Sequence, residues 1–371
     1  MWIFQRGKEK YIDTAQEDEK FARSSEIQSV TSGDHPLTGK DIPGENAMVE
    51  TSAGVDIRLI HQLNRGGEGV IYQTDTPLLA KIYQEKHNGA AAREKIEKMV
   101  SKRVIHEGIC YPITTLKYKG KFTGFLMRAG DGRELQDILM QRKDFAKEEN
   151  FGTWTKEDLI TLCVSILEKI KYLHDRNILI GDINPHNIMF SSPEMVYLID
   201  TDSYQIEGFP CPVGTREFSA PEILGKDYKT FLREVGHENY AIATLLFMIM
   251  MHGIKPYSRT FQKGEAECTY EHLAKHGSFV YQMDDHDVAA IPIGDWKYQW
   301  SNLAPYVKQA FIDTFLAGGK YYRKEDRLSV DEWLEIFQHY LKDYSDGEFE
   351  RHDPETEKIF PQKFVSPWSN D

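Results

Sequence analysis

Four polar residues, far apart along the chain, carry the types that phosphate chemistry uses. Asp182 and Asn187 stand five positions apart in Gly181-Asp182-Ile183-Asn184-Pro185-His186-Asn187, and Asp200 follows in Leu198-Ile199-Asp200-Thr201-Asp202. One carboxylate can orient a hydroxyl and accept its proton, while an amide oxygen and a second carboxylate can hold Mg²⁺ on a triphosphate. Upstream, Lys81 is a cation suited to phosphate oxygens, and Gly66, Gly67 and Gly69 can bring backbone N–H groups close to them. Alone, the glycine run reads better as an ordinary hairpin turn; Lys81, Asp182, Asn187 and Asp200 behind it turn the reading toward a nucleotide.

Such residues need two kinds of scaffold. Val55 to Tyr72 and Leu78 to Tyr83 read as strands around the turn Asp75-Thr76-Pro77, and Pro112 to Tyr118 and Phe122 to Met127 as two more around Lys119-Gly120. Ala90 to Val100 reads as an amphipathic helix between the pairs. Beyond Gly132 the period becomes helical: Leu135 to Arg142, Lys156 to Asp175, Asn239 to Met251, Tyr306 to Leu316 and Val330 to Leu341. The expected organisation is a flexible, polar arm over 1–50, a small sheet-rich part over 51–130, a larger helical part over 131–342 and a solvated tail over 343–371.

Composition bounds the function. With 45 Lys+Arg against 58 Asp+Glu the net charge is −13, which argues against a general nucleic-acid binder. Cys110, Cys163, Cys211 and Cys268 form no C-x-x-C pair, so neither a zinc site nor a disulfide framework is expected, and a reducing cytoplasm is the natural home. The start of the chain has no apolar run of signal-peptide length, and the run Tyr240 to Met251 is too short to span a bilayer, so no membrane association is expected. His186 lacks a second His or Cys at ligand spacing and is given no role.

Over roughly residues 55 to 340 the chain resembles the eukaryotic-like Ser/Thr protein kinase superfamily, and most of all a divergent bacterial protein-kinase-like family. Asp182 and Asn187 match the H-R-D-L-x-x-x-N signature, Asp200 matches the D-F-G aspartate and Ala220-Pro221-Glu222 matches A-P-E. The resemblance implies an α+β, bilobed protein-kinase-like fold and an enzyme that uses ATP and Mg²⁺ to phosphorylate a Ser/Thr hydroxyl of a protein. In it Asp182 is the base, Asn187 and Asp200 are the metal ligands, and Lys81 is the phosphate clamp, paired with Glu97 or Glu94 on the helix that follows; Glu97 lies nearer the apolar face. Asn64 stands for the first glycine of the loop. Met127, with Arg128, enters the adenine hinge, Glu134 lies near the ribose, and Ile71, Leu79 and Met189 sandwich the base. Arg327 is the matching partner for Glu222, and Glu238 stands where an Asp is usual. Family members are often associated with PP2C-type phosphatases, which makes such a phosphatase an expected partner.

Three departures bear on function. Ile180 and Gly181 replace the His and Arg of H-R-D, so no activation-loop phosphate switch is expected. Asn184 replaces a Lys that would face the γ-phosphate. Thr201-Asp202 replaces Phe-Gly and adds a third carboxylate, either a metal ligand or a surface residue. Asn184, Gly181 and Asn64 leave one alternative, a pseudokinase scaffold that binds nucleotide without efficient turnover; a second is a small-molecule kinase, since G-D-x-x-x-x-N also resembles aminoglycoside phosphotransferases.

Overall fold

β-Branched and aromatic residues two positions apart build the first part of the chain into a closed sheet. The computed structural model describes residues 42–140, 154–261, 263–264, 266–283, 289–348 and 354–364. Two compact units emerge: one runs to Asp131 and takes back Tyr197–Asp202, and the other holds Gly132–Val196 and the chain from Ser203 onward. In the first, β1 (Met48–Thr51), β2 (Asp56–Arg65), β3 (Gly69–Thr74), β4 (Leu79–Tyr83), β5 (Thr114–Tyr118) and β6 (Lys121–Met127) are ordered β1-β2-β3-β4-β6-β5, and β1 pairs with β5 to close a barrel. Val49, Ile57, Leu59, Val70, Tyr72, Ala80, Ile82, Leu116 and Leu126 form its apolar core. Sealing each aliphatic side chain away from water contributes about 1.5–3 kcal/mol.

The two-residue period has a consequence for chemistry. With Ala80 and Ile82 in the core, Lys81 and Tyr83 share the opposite face of β4, and Lys81 lies in register with Ile71 on β3 and Phe125 on β6. Helix α1 (Ala90–Ser101) buries Ile96, Met99 and Val100 at i, i+3 and i+4, with Arg93 and Glu97 paired on its more exposed side.

Strand β1 begins inside the range expected to be a flexible arm, and Val49 and Thr51 are almost fully buried. Four residues are too few to show a period; closure onto β5, a long-range pairing, makes the strand. The arm through residue 41 falls outside the described residues.

The second unit is mostly helical: β7 (Arg133–Glu134), α2 (Leu135–Met140), α3 (Lys156–His174), β8 (Ile188–Phe190), the start of β9 (Val196–Leu198), α4 (Val235–Met250), α5 (Tyr270–Lys275), α6 (Trp296–Ser301), α7 (Pro305–Phe315) and α8 (Val330–Ser345). Helix α4 is buried from His237 to Met250 and apolar on nearly every side after Asn239, so it runs through the middle of the unit. Its Phe247 ring lies 5.3–6.4 Å from the rings of Phe279, Tyr281, Trp300, Phe311 and Phe315. Capping boxes fix the starts of α3 (Thr155 with Asp158) and α8 (Ser329 with Glu332). Helices α5 and α6, six residues each, are too short for a periodic signal and were not expected. The expected helix beyond Met140, at residues 141–142, lies outside the described residues.

The tail expected over 343–371 is partly core. Helix α8 continues to Ser345, Tyr344 donates its hydroxyl to the Thr356 carbonyl (2.8 Å), and Gln299 donates to the Ile359 carbonyl (2.8 Å). Thr356 is fully buried. Polar composition suggested solvation, but distant side-chain amides satisfy the tail's carbonyls, and local sequence carries no trace of that. Residues 349–353 and 365–371 fall outside the described residues.

One buried cation sets a pH dependence. Lys156 is 1% exposed and donates to the Asn302 carbonyl (3.0 Å); burial, with Lys308 nearby, pulls its pKa from 10.5 to about 7. The unfolded chain therefore binds the proton more tightly, and stability rises with pH from about 7 to 10.5 and is lost as pH falls back through that window. Lys156→Met should flatten this rise and stabilise the protein at neutral pH by about 1–4 kcal/mol. Denaturant titrations of both proteins at pH 7 and 9.5 check it; parallel pH slopes would contradict it.

Candidate active site

Lys81 is held within the first unit by two carboxylates from one short segment. Leu198 forms a parallel bridge with Ile109, the Cys110 N–H donates to the Leu198 carbonyl (3.0 Å), and Thr201 donates its hydroxyl to the Cys110 carbonyl (2.7 Å). These bonds fasten Tyr197–Asp202 to the first unit. Asp200 sits at φ +55°, a conformation that Asp tolerates better than most residues. A 3-10 turn over Thr201–Ser203 then turns the next carboxylate inward. Lys81 Nζ donates to Asp200 Oδ1 (2.7 Å) and Asp202 Oδ1 (2.6 Å), and the Tyr83 hydroxyl donates to Asp202 Oδ2 (2.7 Å).

The two carboxylates differ in setting. The Asp200 side chain is 49% exposed and that of Asp202 only 3%. Burial alone would raise the Asp202 carboxyl, but Lys81 and the Tyr83 hydroxyl outweigh it and hold the pKa below the usual value. Burial alone would likewise lower the Lys81 amine; Asp202 and Asp200 reverse that and keep it charged. Burial pushes the Tyr83 phenol well up, so it remains a donor.

This corrects the expected pairing of Lys81. Glu97 pairs with Arg93 Nε (2.8 Å), Glu94 is exposed, and neither takes part in the clamp. Nor is Asp202 a surface residue. The signal was present in the D-x-D spacing after the strand; its meaning lay in Tyr83, a donor on the same face as Lys81 that sequence reasoning passed over.

The glycine loop belongs to the same unit. Gly66 N–H donates to the Gly69 carbonyl (2.9 Å), and Gln84, just past β4, bonds the Gly66 carbonyl through its side chain (2.8 Å) and the Glu68 carbonyl through its N–H (2.9 Å). A Cβ at Gly69 would stand 2.7 Å from the Ile82 carbonyl oxygen, so that glycine is required by close strand approach; one at Gly67 would meet nothing. Asn64 turns its side-chain oxygen back to the Arg65 N–H (2.7 Å). Leu79 and Met127 lie opposite one another on β4 and β6, Ile71 is half-buried on β3, and Arg128 follows β6 half-buried.

In the second unit Asp182 is fixed from two sides. Thr215 donates both its N–H (2.7 Å) and its hydroxyl (2.9 Å) to Asp182 Oδ1. Asn187 and Asn184 donate their amides to the Asp182 carbonyl (3.0 and 3.1 Å). Asn187 thereby commits its nitrogen and leaves its oxygen as an acceptor, the atom a hard cation would take. Asn184 is 4% exposed and caps the 3-10 turn over Pro185–Asn187 by accepting the His186 N–H (3.0 Å). It replaces a Lys with a structural cap. Glu134 Oε2 lies 3.2 Å from His186 Nδ1, and Met189, 3% exposed, is in register with Glu134 across β7 and β8. Among the described residues no three His, Cys, Asp or Glu side chains gather as a metal site.

Glu238 on α4 holds the segment before Asp182 through its backbone. Its carboxylate accepts the N–H groups of Ile180 (2.9 Å) and Gly181 (2.7 Å), and His174 Nε2 lies 2.8 Å away. Gly181 has φ +75°, and a Cβ there would run into Cys211 and stand 2.7 Å from Arg233 Nη1. Arg233, 5% exposed, donates to the carbonyls of Cys211 (3.0 Å) and Val213 (2.6 Å), and Gln205 exchanges two bonds with its backbone. A buried Arg from beyond the loop thus ties down the chain leading to Thr215 with no phosphate. Nothing in the local sequence marks Arg233; the empty position at Gly181 was the nearest signal. Gly181→Ala should cost about 2 kcal/mol or more through left-handed strain and overpacking. A melting temperature within a degree of wild type would contradict it.

The expected partner of Glu222 is in place. Arg327 donates Nη1 to Oε1 (2.6 Å) and Nη2 to Oε2 (3.0 Å), a bidentate pair, and Nη1 also reaches the Gly236 carbonyl (2.8 Å). The pair ties Glu222, in the segment after Thr215, to the chain just before α8.

Comparison with known proteins shows the family. The model of the protein kinase domain matches residues 60–337. Protein kinase YegI of Escherichia coli (strain K12) is 26% identical over 292 residues, 74% of this chain and 44% of that protein. The probable serine/threonine-protein kinase zyg-1 of Caenorhabditis briggsae is 22% identical over 207 residues, 53% of this chain and 27% of the relative. The cGMP-dependent protein kinase of Toxoplasma gondii is 28% identical over 184 residues, 47% of this chain and 18% of the relative. Each match spans less than half the relative's length. Among the described residues no helix is long and apolar enough to cross a membrane.

Proposed function

The chain belongs to the protein kinase domain family, and from that premise we propose that it transfers the γ-phosphoryl group of ATP to a Ser or Thr hydroxyl of a protein. The observation that carries this reading is the pair of donors from Thr215 on Asp182 Oδ1, which fixes the carboxylate plane and leaves Oδ2 for an incoming hydroxyl. Asp182 orients that hydroxyl and takes its proton as the O–P bond forms. Lys81, charged and immobilised, draws the phosphates into line. Asn187 and Asp200 offer oxygen donors suited to Mg²⁺, which when bound supplies charge neutralisation on the phosphates. Positioning and electrostatics then account for most of the rate, and no covalent enzyme intermediate is needed.

Asn184 favours a second reading. A buried cap cannot stabilise the γ-phosphate as a Lys would, so a scaffold that binds nucleotide without efficient turnover is the alternative. A coupled ADP-release assay with protein, peptide and small-molecule acceptors separates the readings. Acceptor-dependent ADP release with protein or peptide alone supports the kinase; MgATP binding without release under every condition supports the scaffold.

A further inference from the structure

We propose that Asp202, braced by Tyr83, is the positioning residue that holds Lys81 for the nucleotide, so that the phosphate clamp is assembled without any carboxylate from α1. This rests on the phosphotransfer reading above and deepens it.

The case is geometric. An amine on a flexible four-carbon stem clamps phosphate only if its direction is fixed, and a single anion behind it is enough to fix it. Two carboxylates touch Lys81, but they are not equivalent. Asp200 is half exposed and, on the reading above, is the residue that would hold Mg²⁺. Were its oxygens turned to a cation, its bond to Lys81 would weaken. Asp202 is sealed from solvent, and both its oxygens are committed, Oδ1 to Lys81 and Oδ2 to the Tyr83 hydroxyl. The Tyr83 ring, fully enclosed, lies 6.0 Å from both Phe122 and Phe125, so the hydroxyl has little freedom to leave. Lys81 and Tyr83 are on one face of one strand, and Thr201 pins the segment that carries Asp202. The clamp is thus built from a strand and the turn fastened to it, both rigid. Displacing α1 breaks none of these bonds, since Glu97 is bound to Arg93 within the same helix and Glu94 faces solvent. Lys95 on α1 does bear on Asp202 electrostatically, so helix displacement would change the field at the clamp while leaving its hydrogen bonds in place.

The test is steady-state kinetics with MgATP and a protein acceptor, together with calorimetric MgATP titration, on the full chain and on Asp202→Asn, Asp202→Glu, Tyr83→Phe and Glu97→Gln. The expected result is a KM for ATP raised about tenfold or more in Asp202→Asn, partial recovery in Asp202→Glu, and Glu97→Gln within twofold of wild type. The KM for the acceptor stays unchanged in all four, which general loosening of the fold would not give. Should Asp202→Asn fail to fold, Tyr83→Phe carries the test, with a KM for ATP raised about threefold. A wild-type KM for ATP in Asp202→Asn, or in Tyr83→Phe where Asp202→Asn does not fold, overturns the proposal while leaving the kinase reading intact. So does loss of ATP affinity in Glu97→Gln. A wild-type chain that neither binds nor turns over MgATP overturns the kinase reading and the proposal together.

Discussion

Asp182→Asn should reduce phosphoryl transfer by about 10²–10⁴-fold, the usual contribution of a positioned general base, while leaving MgATP affinity within a few-fold of wild type. The amide keeps the size of the carboxylate but cannot take a proton. Thr215, which donates twice to Oδ1, would still find an acceptor if the amide oxygen faces it, so the fold and the nucleotide-holding residues are preserved. The loss should fall on kcat and not on the KM for ATP, the pattern of a group that acts on the acceptor in the transition state. Initial-rate measurements over a range of ATP concentrations check this. Equal kcat in the two proteins would remove Asp182 from the chemistry.

The second large effect concerns Lys81. Lys81→Met should destabilise the protein by about 3–5 kcal/mol, because it leaves Asp202 buried without its cation. A surface lysine would cost far less, since exposed ion pairs contribute only about 0–1 kcal/mol. The double variant Lys81→Met/Asp202→Leu should recover most of that stability, as an apolar pair replaces a buried charge, yet neither variant should recover ATP turnover. Chemical denaturation of the two single variants and the double variant gives the coupling directly. A Lys81→Met variant as stable as wild type would mean that the buried pair contributes nothing to the fold.

How far the sequence alone reached depends on whether a feature is local. Strands β4 to β6 and helix α1 were legible because each contains its own period, whereas Val55 to Tyr72, read as one strand run, is two strands divided after Arg65 by the glycine turn; Lys81, Asp182, Asn187 and Asp200 were singled out by residue type and spacing. The partner of Lys81 was not. Helical periodicity could rank Glu97 over Glu94 but could not show that a turn 121 residues downstream would supply Asp202. Arg233 was hidden for the same reason: it acts on backbone carbonyls of Cys211 and Val213, which have no side-chain signature. Strand β1 and the buried part of the C-terminal tail escaped because polar composition was read as solvation, whereas barrel closure and side-chain amides from Gln299 and Asn302 satisfy them. Glu222 and Arg327, 105 residues apart, were found only because the family resemblance pairs them.

The most direct measurement is transfer of label from [γ-³²P]ATP, with Mg²⁺, to a protein acceptor, followed by phosphoamino-acid analysis, with wild type and Asp182→Asn side by side. The expected outcome is phosphoserine or phosphothreonine formed by wild type and almost none by the variant. Equal labelling by both, or MgATP binding by wild type with no labelled acceptor, would contradict the account.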